Sequence, residues 1–336
     1  MSNIKTIILL ATLHYAYTAF CQEARVTFHV KDEFGKPVMG AQMRVTVVPG
    51  DPIPSPGSNG NGSKIITGIV DSNGVYVFQS QVNPLKFGEL AIPGYDLYYN
   101  VHPQTNFYLG HPPPFHLTNH TATRWEPWDP SLELVLRPIM NPIPMYARRL
   151  NCTIPQPTNT YGFDLQVGDW IAPDGKGLVA DILFQVTGRA TSVQDNDSRL
   201  KVSFPNPMDG IQSFVPMTNS AFVSPRTAPT DGYQPLLTFR RTRLPGQRSS
   251  QWYDDNQHPT NYIFRVRTVV DDQGNIKSVL YGKIQGGISF GGAVPLCNLT
   301  LKNYYLNPTP NDRNLEFDPK RNLASDVKRG DEVRDP

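Results

Sequence analysis

Residues 24–47 read ARVTFHVKDEFGKPVMGAQMRVTV. Val26, Phe28 and Val30 alternate with Thr27 and His29, a period of two that predicts a strand with one buried face. Asp32-Glu-Phe-Gly35 supplies turn residues. Lys36-Pro37-Val38-Met39-Gly40-Ala41 then leads into Met43, Val45 and Val47, where the alternation resumes on a second strand.

The same grammar continues outward. Residues 49–63 are rich in Pro, Gly, Ser and Asn and read as an exposed loop. Ile65 to Phe78 reads as a hairpin with Asp71-Ser-Asn-Gly74 at its turn, and Glu89 to Tyr95 starts another strand. Leu132, Leu134 and Leu136 close this module. Leu178 to Val186 and Leu200 to Phe204 read as further strands. Tyr262 to Val270 and Ile276 to Ile284 flank Asp271-Asp-Gln-Gly274, and Phe264, Val266 and Thr268 alternate with Arg265 and Arg267. An Asp-x-x-Gly turn thus stands at Asp32, at Asp71 and at Asp271. The flanks do not match, so it is shared hairpin chemistry and not an internal repeat. With 32 prolines among 336 residues, long helices have little room. The 39% hydrophobic content, with 16 Phe, 15 Tyr and 4 Trp, argues for folded cores between the turns.

The expected architecture is all-β and in two parts. Residues 24–138 form a β-sandwich and 139–150, with Pro142 and Pro144, a linker. Residues 151–322 form a second β-rich domain, a sandwich or jelly-roll, and 323–336 a charged disordered tail. Residues 1–21 read as a signal peptide, with Lys5 ahead of an apolar core from Ile7 to Leu13. Ala19 and Cys21 fit cleavage before Gln22, and Cys21 as a lipidated cysteine is the alternative, disfavoured by Phe20. A secreted, periplasmic or cell-envelope location follows, with no integral membrane span in the mature chain.

The order of motifs in the first part resembles the carboxypeptidase regulatory-like family. Its Gly-x-Pro-Val-x-Gly-Ala step corresponds to Gly35 through Ala41, its Asp-x-x-Gly turn to Asp71 through Gly74, and its Gly-Tyr pair to Gly94-Tyr95. The resemblance implies a prealbumin (transthyretin-like) sandwich and no peptidase activity, since the zinc peptidase domain and its His-x-x-Glu pair are absent. Residues 98–130, with Pro112-Pro113-Pro114, are an insertion with no counterpart in the minimal module. Phe163 to Trp170, Tyr305 to Asn314 and Phe317 to Arg321 are similar to segments of exported bacterial proteins that carry the same module, which implies export and no particular activity.

Chemistry is sparse. A net charge of +2 and the lack of a cationic stripe interleaved with aromatics exclude nucleic acid as a partner. Arg240, Arg241, Arg243 and Arg248 read as a solvated strand end. His111, His116 and His120 could ligate a metal only from a loop, and scattered surface histidines are the simpler reading. Asp195-Asn-Asp197 and Asp271-Asp272 lack an EF-hand ladder and read as turns. No cofactor loop is present. Two cysteines would remain in the mature chain, and Cys152 with Cys297 is the disulfide candidate against two buried free thiols. N-x-S/T sequons stand at Asn61, Asn119, Asn151, Asn196 and Asn298.

The functional lead is Arg124-Trp125-Glu126-Pro127-Trp128-Asp129, where Trp125 and Trp128 either offer flat faces to a carbohydrate or protein ligand or pack inward. A non-catalytic surface or envelope module is therefore expected. The alternative is a secreted hydrolase with Asp169, Asp174 and Asp181, or His258, in its second domain.

Overall fold

The computed structural model describes residues 22–49, 64–82, 95–102, 115–117, 119–121, 123–156, 158–192, 195–216, 220–251, 253–255, 260–293, 296–325, 327 and 330–336. The signal segment with Cys21, the loop 50–63, Asn61, Gly94, His111, Pro112 to Pro114 and His258 lie outside them. Regular structure among the described residues is strand, with only short 3-10 turns such as Ser249–Gln251 and Pro319–Arg321. The protein is all-β. It divides into two compact units, Met1–Met140 with Thr218–Ala221, and Asn141–Met217 with Phe222–Pro336.

Among the described residues the first unit has seven principal strands: β1 (Gln22–Asp32), β2 (Gln42–Pro49), β3 (Lys64–Ile69), β4 (Val75–Val82), β5 (Tyr95–His102), β6 (Phe115–Leu117) and, after the small hairpin β7 (Asn119–His120) and β8 (Trp125–Glu126), β9 (Ser131–Leu136). They form two sheets, β4-β1-β9 and β3-β2-β5-β6. β1 runs antiparallel to β4 and parallel to β9. The alternation of β1 places Ala24, Val26, Phe28 and Val30 in the core, against Met43 and Val45 of β2, Phe78 of β4 and Leu134 and Leu136 of β9. The turns behave as their composition predicts. Asp32 Oδ1 accepts from Phe34 N and Lys36 N, and Asp71 Oδ1 from Asn73 N and Val75 N. Gly35 and Gly74 take φ of 84° and 78°, a region that costs other residues a Cβ clash.

The second unit comprises β10 (Tyr146–Ile154), β11 (Tyr161–Asp164), β12 (Asp169–Trp170), β13 (Ile182–Ser192), β14 (Asp195–Ser203), β15 (Gly210–Phe214), β16 (Leu236–Arg243), β17 (Tyr253–Asp254), β18 (Asn261–Val270), β19 (Ile276–Ala293) and β20 (Leu296–Leu306). A five-stranded sheet, β10-β20-β19-β18-β15, and a six-stranded sheet, β12-β11-β13-β14-β16-β17, are antiparallel throughout. Their facing sides share one core, in which Phe163 and Phe184 meet the Trp170 ring edge-on at 5.2 and 6.0 Å. This is a sandwich. The five-stranded sheet is also covered on its other side, by Met145, Phe317 and Val333 over Tyr305 and by Ala228 and Leu315 over Ile263, Val279 and Tyr281. Burial on both faces is seen where successive residues are buried, as at Tyr262, Ile263 and Phe264 on β18 and Tyr304, Tyr305 and Leu306 on β20.

Two expectations about organisation are corrected. Residues 143–150 are not a linker: Ile143 bridges Phe317, its N–H donates to Glu316 O at 2.8 Å, and β10 begins at Tyr146. The tail is not free: Leu323 N donates to Met145 O, Arg149 N to Asp331 O and the Tyr305 hydroxyl to Asp335 O, and Val333 is 4% exposed. Among its described residues Glu332, Arg334 and Asp335 are exposed, while Val333 packs on the sheet beneath.

Candidate functional site

In the second unit, strand β15 lies at the edge of the five-stranded sheet, and its Ile211 exchanges both backbone hydrogen bonds with Gln234. Gly232, at φ 84°, turns the chain ahead of that bridge. β15, this turn, Leu237 of β16 and Tyr262 of β18 enclose an open cleft of about 560 Å³. That lies within the ~300–1,000 Å³ usual for ligand sites. The polar groups that line it are Gln212, Ser213, Gln234 and Thr260, all neutral. Gln212 Nε2 donates to Asp231 O at 2.8 Å, which holds its amide in place. Tyr262 is 6% exposed, its ring edge-on to Phe239 at 6.3 Å, and burial raises its phenol pKa against a hydrogen bond with Thr260. Behind the turn, the Arg265 guanidinium sits 4.8 Å from the Tyr233 ring centre and donates to Met208 O and Thr230 O, which stiffens the wall. Such a lining can hydrogen-bond sugar hydroxyls. It offers no acid–base pair.

Of the acids proposed for a hydrolase only Asp181 meets a cation, and it does so together with Asp164 and apart from Asp169 and Asp174. Asp181 and Asp164 are each 1% exposed. Arg267, from a bulge in β18 and at φ 56°, donates to Asp181 Oδ1 and Oδ2 at 2.7 and 3.0 Å, to Asp164 Oδ1 at 3.1 Å and to Gln166 Oε1 at 3.0 Å. Asp164 also accepts from the backbone N–H groups of Gln166, Val167, Leu178 and Val179, and Asp181 from Leu165. Burial pushes the Asp164 carboxyl up, but those N–H groups and Arg267 outweigh it and leave its pKa below the ordinary value. For Asp181 burial wins over Arg267, and its pKa lies above the ordinary value. Asp169 accepts from Trp170 N and Lys176 N, and Asp174 is an exposed turn residue. The group is a knot that shapes residues 164–181, with its lone pairs already spent. Sequence reading missed Asp164 and Arg267, because nothing local marks an arginine one hundred residues away as their partner.

The other singled-out residues separate. Trp125 is 2% exposed in the first unit's core, so its ring presents no face to a ligand; the paired aromatic platform is corrected to one buried ring and one half-buried ring. Trp128 is that half-buried ring. Arg124 lies 5.5 Å from its centre, and the Glu126 carboxylate accepts from both Arg124 Nε and Trp128 N. Cys152 and Cys297 are free thiols. The register puts Cys152 opposite Leu299 and Cys297 opposite Ile154, a diagonal relation across β10 and β20. Such pairs sit ~7–8 Å apart at Cα, beyond the usual reach of a disulfide. Burial, then the charge of Asp169, pushes Cys152 up to about 12, and burial raises Cys297. Arg241 and Arg243 are not solvated but share the buried Asp254, each at 3.0 Å. Asn196 is buried and accepts from Ser198, while Asp195 binds Arg189 and Thr191 and Asp271 accepts from Gln273 N and Asn275 N. His116 falls on β6 and His120 on β7. Among the described residues no group of three His, Cys, Asp or Glu side chains is placed to hold a metal ion, and no helix is long and apolar enough to cross a membrane.

No family model matches this chain, and no curated protein matches it. Among solved structures, a double mutant of the shaft pilin SpaA from Lactobacillus rhamnosus GG is similar at 13% identity, over 80% of this chain and 94% of the pilin, with a TM-score of 0.20. A likeness of that size carries no argument about this chain.

Proposed function

We propose that this chain is an exported, non-catalytic binding module. Its first unit is a carboxypeptidase regulatory-like sandwich, and its second unit takes an uncharged carbohydrate in the cleft beside β15. The observation that carries the reading is the lining, which combines the amide and hydroxyl groups of Gln212, Ser213, Gln234 and Thr260 with Leu237 and Tyr262 and holds no ionisable acid–base pair. The engagement of Asp164 and Asp181 by Arg267 supports it against the hydrolase alternative. Export rests on Lys5, the apolar run to Leu13 and the small residues at Ala19 and Cys21. Of the two tryptophans, Trp128 is the one left for a ligand contact.

A glycan array read with the wild type and with Gln212→Ala/Thr260→Ala tests the site. Binding to neutral glycans that weakens about tenfold or more in the double variant is expected, from two lost hydrogen bonds. Equal binding by both proteins removes the cleft. New reducing ends after incubation with the bound glycan would replace the binding module by an enzyme.

A further inference from the structure

The outer face of the six-stranded sheet breaks a pairing rule. In the register of β14 with β16, Arg199 stands directly opposite Arg240, and Lys201 opposite Thr238. All four side chains are exposed. Like charges directly opposite across an antiparallel pair destabilise it, and such a local violation marks a place where something other than stability sets the residue. The carboxylates on this face serve Arg189 and Arg240 and leave Arg199 and Lys201 unmatched. Asp195 is taken by Arg189. Asp197 lies 3.9 Å from Arg240 Nε, and Asp255 accepts from the Arg240 N–H and the Tyr253 hydroxyl. Both therefore attend Arg240, and no ion pair is formed by Arg199 or Lys201 among the described residues. The neighbours of the cations suit a sugar: Thr187 is exposed opposite Arg199 on β13, Thr238 is exposed opposite Lys201, and the half-exposed Tyr253 ring lies 5.8 Å from the Arg240 guanidinium.

We propose that this face, centred on Arg199, Lys201 and Arg240, docks an anionic polysaccharide. The cations meet its sulfates or carboxylates, the threonines its hydroxyls, and Tyr253 the apolar face of a ring. Three cations in two adjacent rows match a sparsely charged chain better than duplex DNA, which carries one charge per ~1.7 Å of axis. A lipid surface would call for an apolar wedge, and among the described residues the exposed apolar neighbours are Leu236 and the Tyr253 ring. The surface is separate from the cleft and does not depend on it.

Calorimetric titration of the full chain tests this with heparin as the sulfated probe and polygalacturonate as the carboxylated one. Dextran, a DNA duplex and phosphatidylglycerol-containing vesicles serve as the other arms. The variant is Arg199→Thr/Lys201→Thr, which keeps β-forming residues at both positions. The wild type is expected to bind one or both polyanionic polysaccharides with an affinity that falls as salt rises. The double variant is expected to bind about tenfold more weakly, as two exposed charge contacts are lost. Its Tm should be equal or higher, because the Arg199–Arg240 opposition is gone, and Gln212→Ala/Thr260→Ala should bind as the wild type does. Failure of the wild type to bind either polysaccharide at low salt overturns the proposal, as does unchanged affinity in the Arg199/Lys201 variant or a lower Tm. Tighter binding to DNA or vesicles than to either polysaccharide overturns the assignment of partner.

Discussion

Arg267 holds two buried carboxylates with one guanidinium, at a backbone angle that a non-glycine residue adopts at a cost. Replacing it by glutamine leaves Asp164 and Asp181 buried without their cation. Breaking such a pair costs about 3–5 kcal/mol, which urea denaturation followed by tryptophan fluorescence would register as an earlier midpoint. The carboxylates also set an acid limit. Asp164 is depressed, with burial outweighed by its N–H donors and Arg267, and Asp129 is depressed by the Thr27 hydroxyl and by Arg25. Groups with a lowered folded pKa contribute stability that is present above their unfolded values, ~3.9, and is lost as pH falls through the folded values. Asp181 is raised and has the opposite sign: its ionisation costs some stability as pH rises through its folded pKa. The expected profile is a Tm that drops steeply below about pH 4, with the drop reduced in Asp164→Asn. At this scale the sequence was least legible. Trp125 looks the same in one dimension whether it lines a core or a platform, and the diagonal register of Cys152 and Cys297 depends on a bulge between Arg148 and Leu150.

Hairpins were the most legible elements, because their chemistry is local. Asp32, Asp71 and Asp271 each accept from the N–H groups two and four residues on. Gly74, where an added Cβ would lie 2.5 Å from Val30 O, has no other residue to replace it. Gly74→Ala is expected to cost more than about 1 kcal/mol, measurable as a lower Tm, whereas Gly35→Ala, with nothing within 4 Å of the added carbon, meets only the backbone penalty. Elements whose partners are distant were misread for the same reason. Pro142 and Pro144 suggested a linker, yet the carbonyls and N–H groups around Ile143 are satisfied by Glu316 and Asp318. Asp331 to Pro336 looks solvated by charge count, and only the sheet beneath it explains why Val333 is buried.

At the scale of the molecule, two sandwiches follow from one rule. Alternating segments bury one face each, and the five-stranded sheet of the second unit, covered on both sides, buries residues on its second face as well. The fold class was legible because it rests on periodicity and composition. The cleft was not, because Gln212, Gln234 and the Thr260–Tyr262 segment come from three separate stretches that carry no motif. The account places binding in that cleft and assigns it no turnover. Hydrogen–deuterium exchange of the full chain, with and without the neutral glycan that binds best, tests this most directly. Slowed exchange confined to Gly210–Phe214, residues 230–238 and the start of Asn261–Val270, with the glycan recovered intact, is the predicted result; protection centred on other strands, or a cleaved glycan, contradicts it.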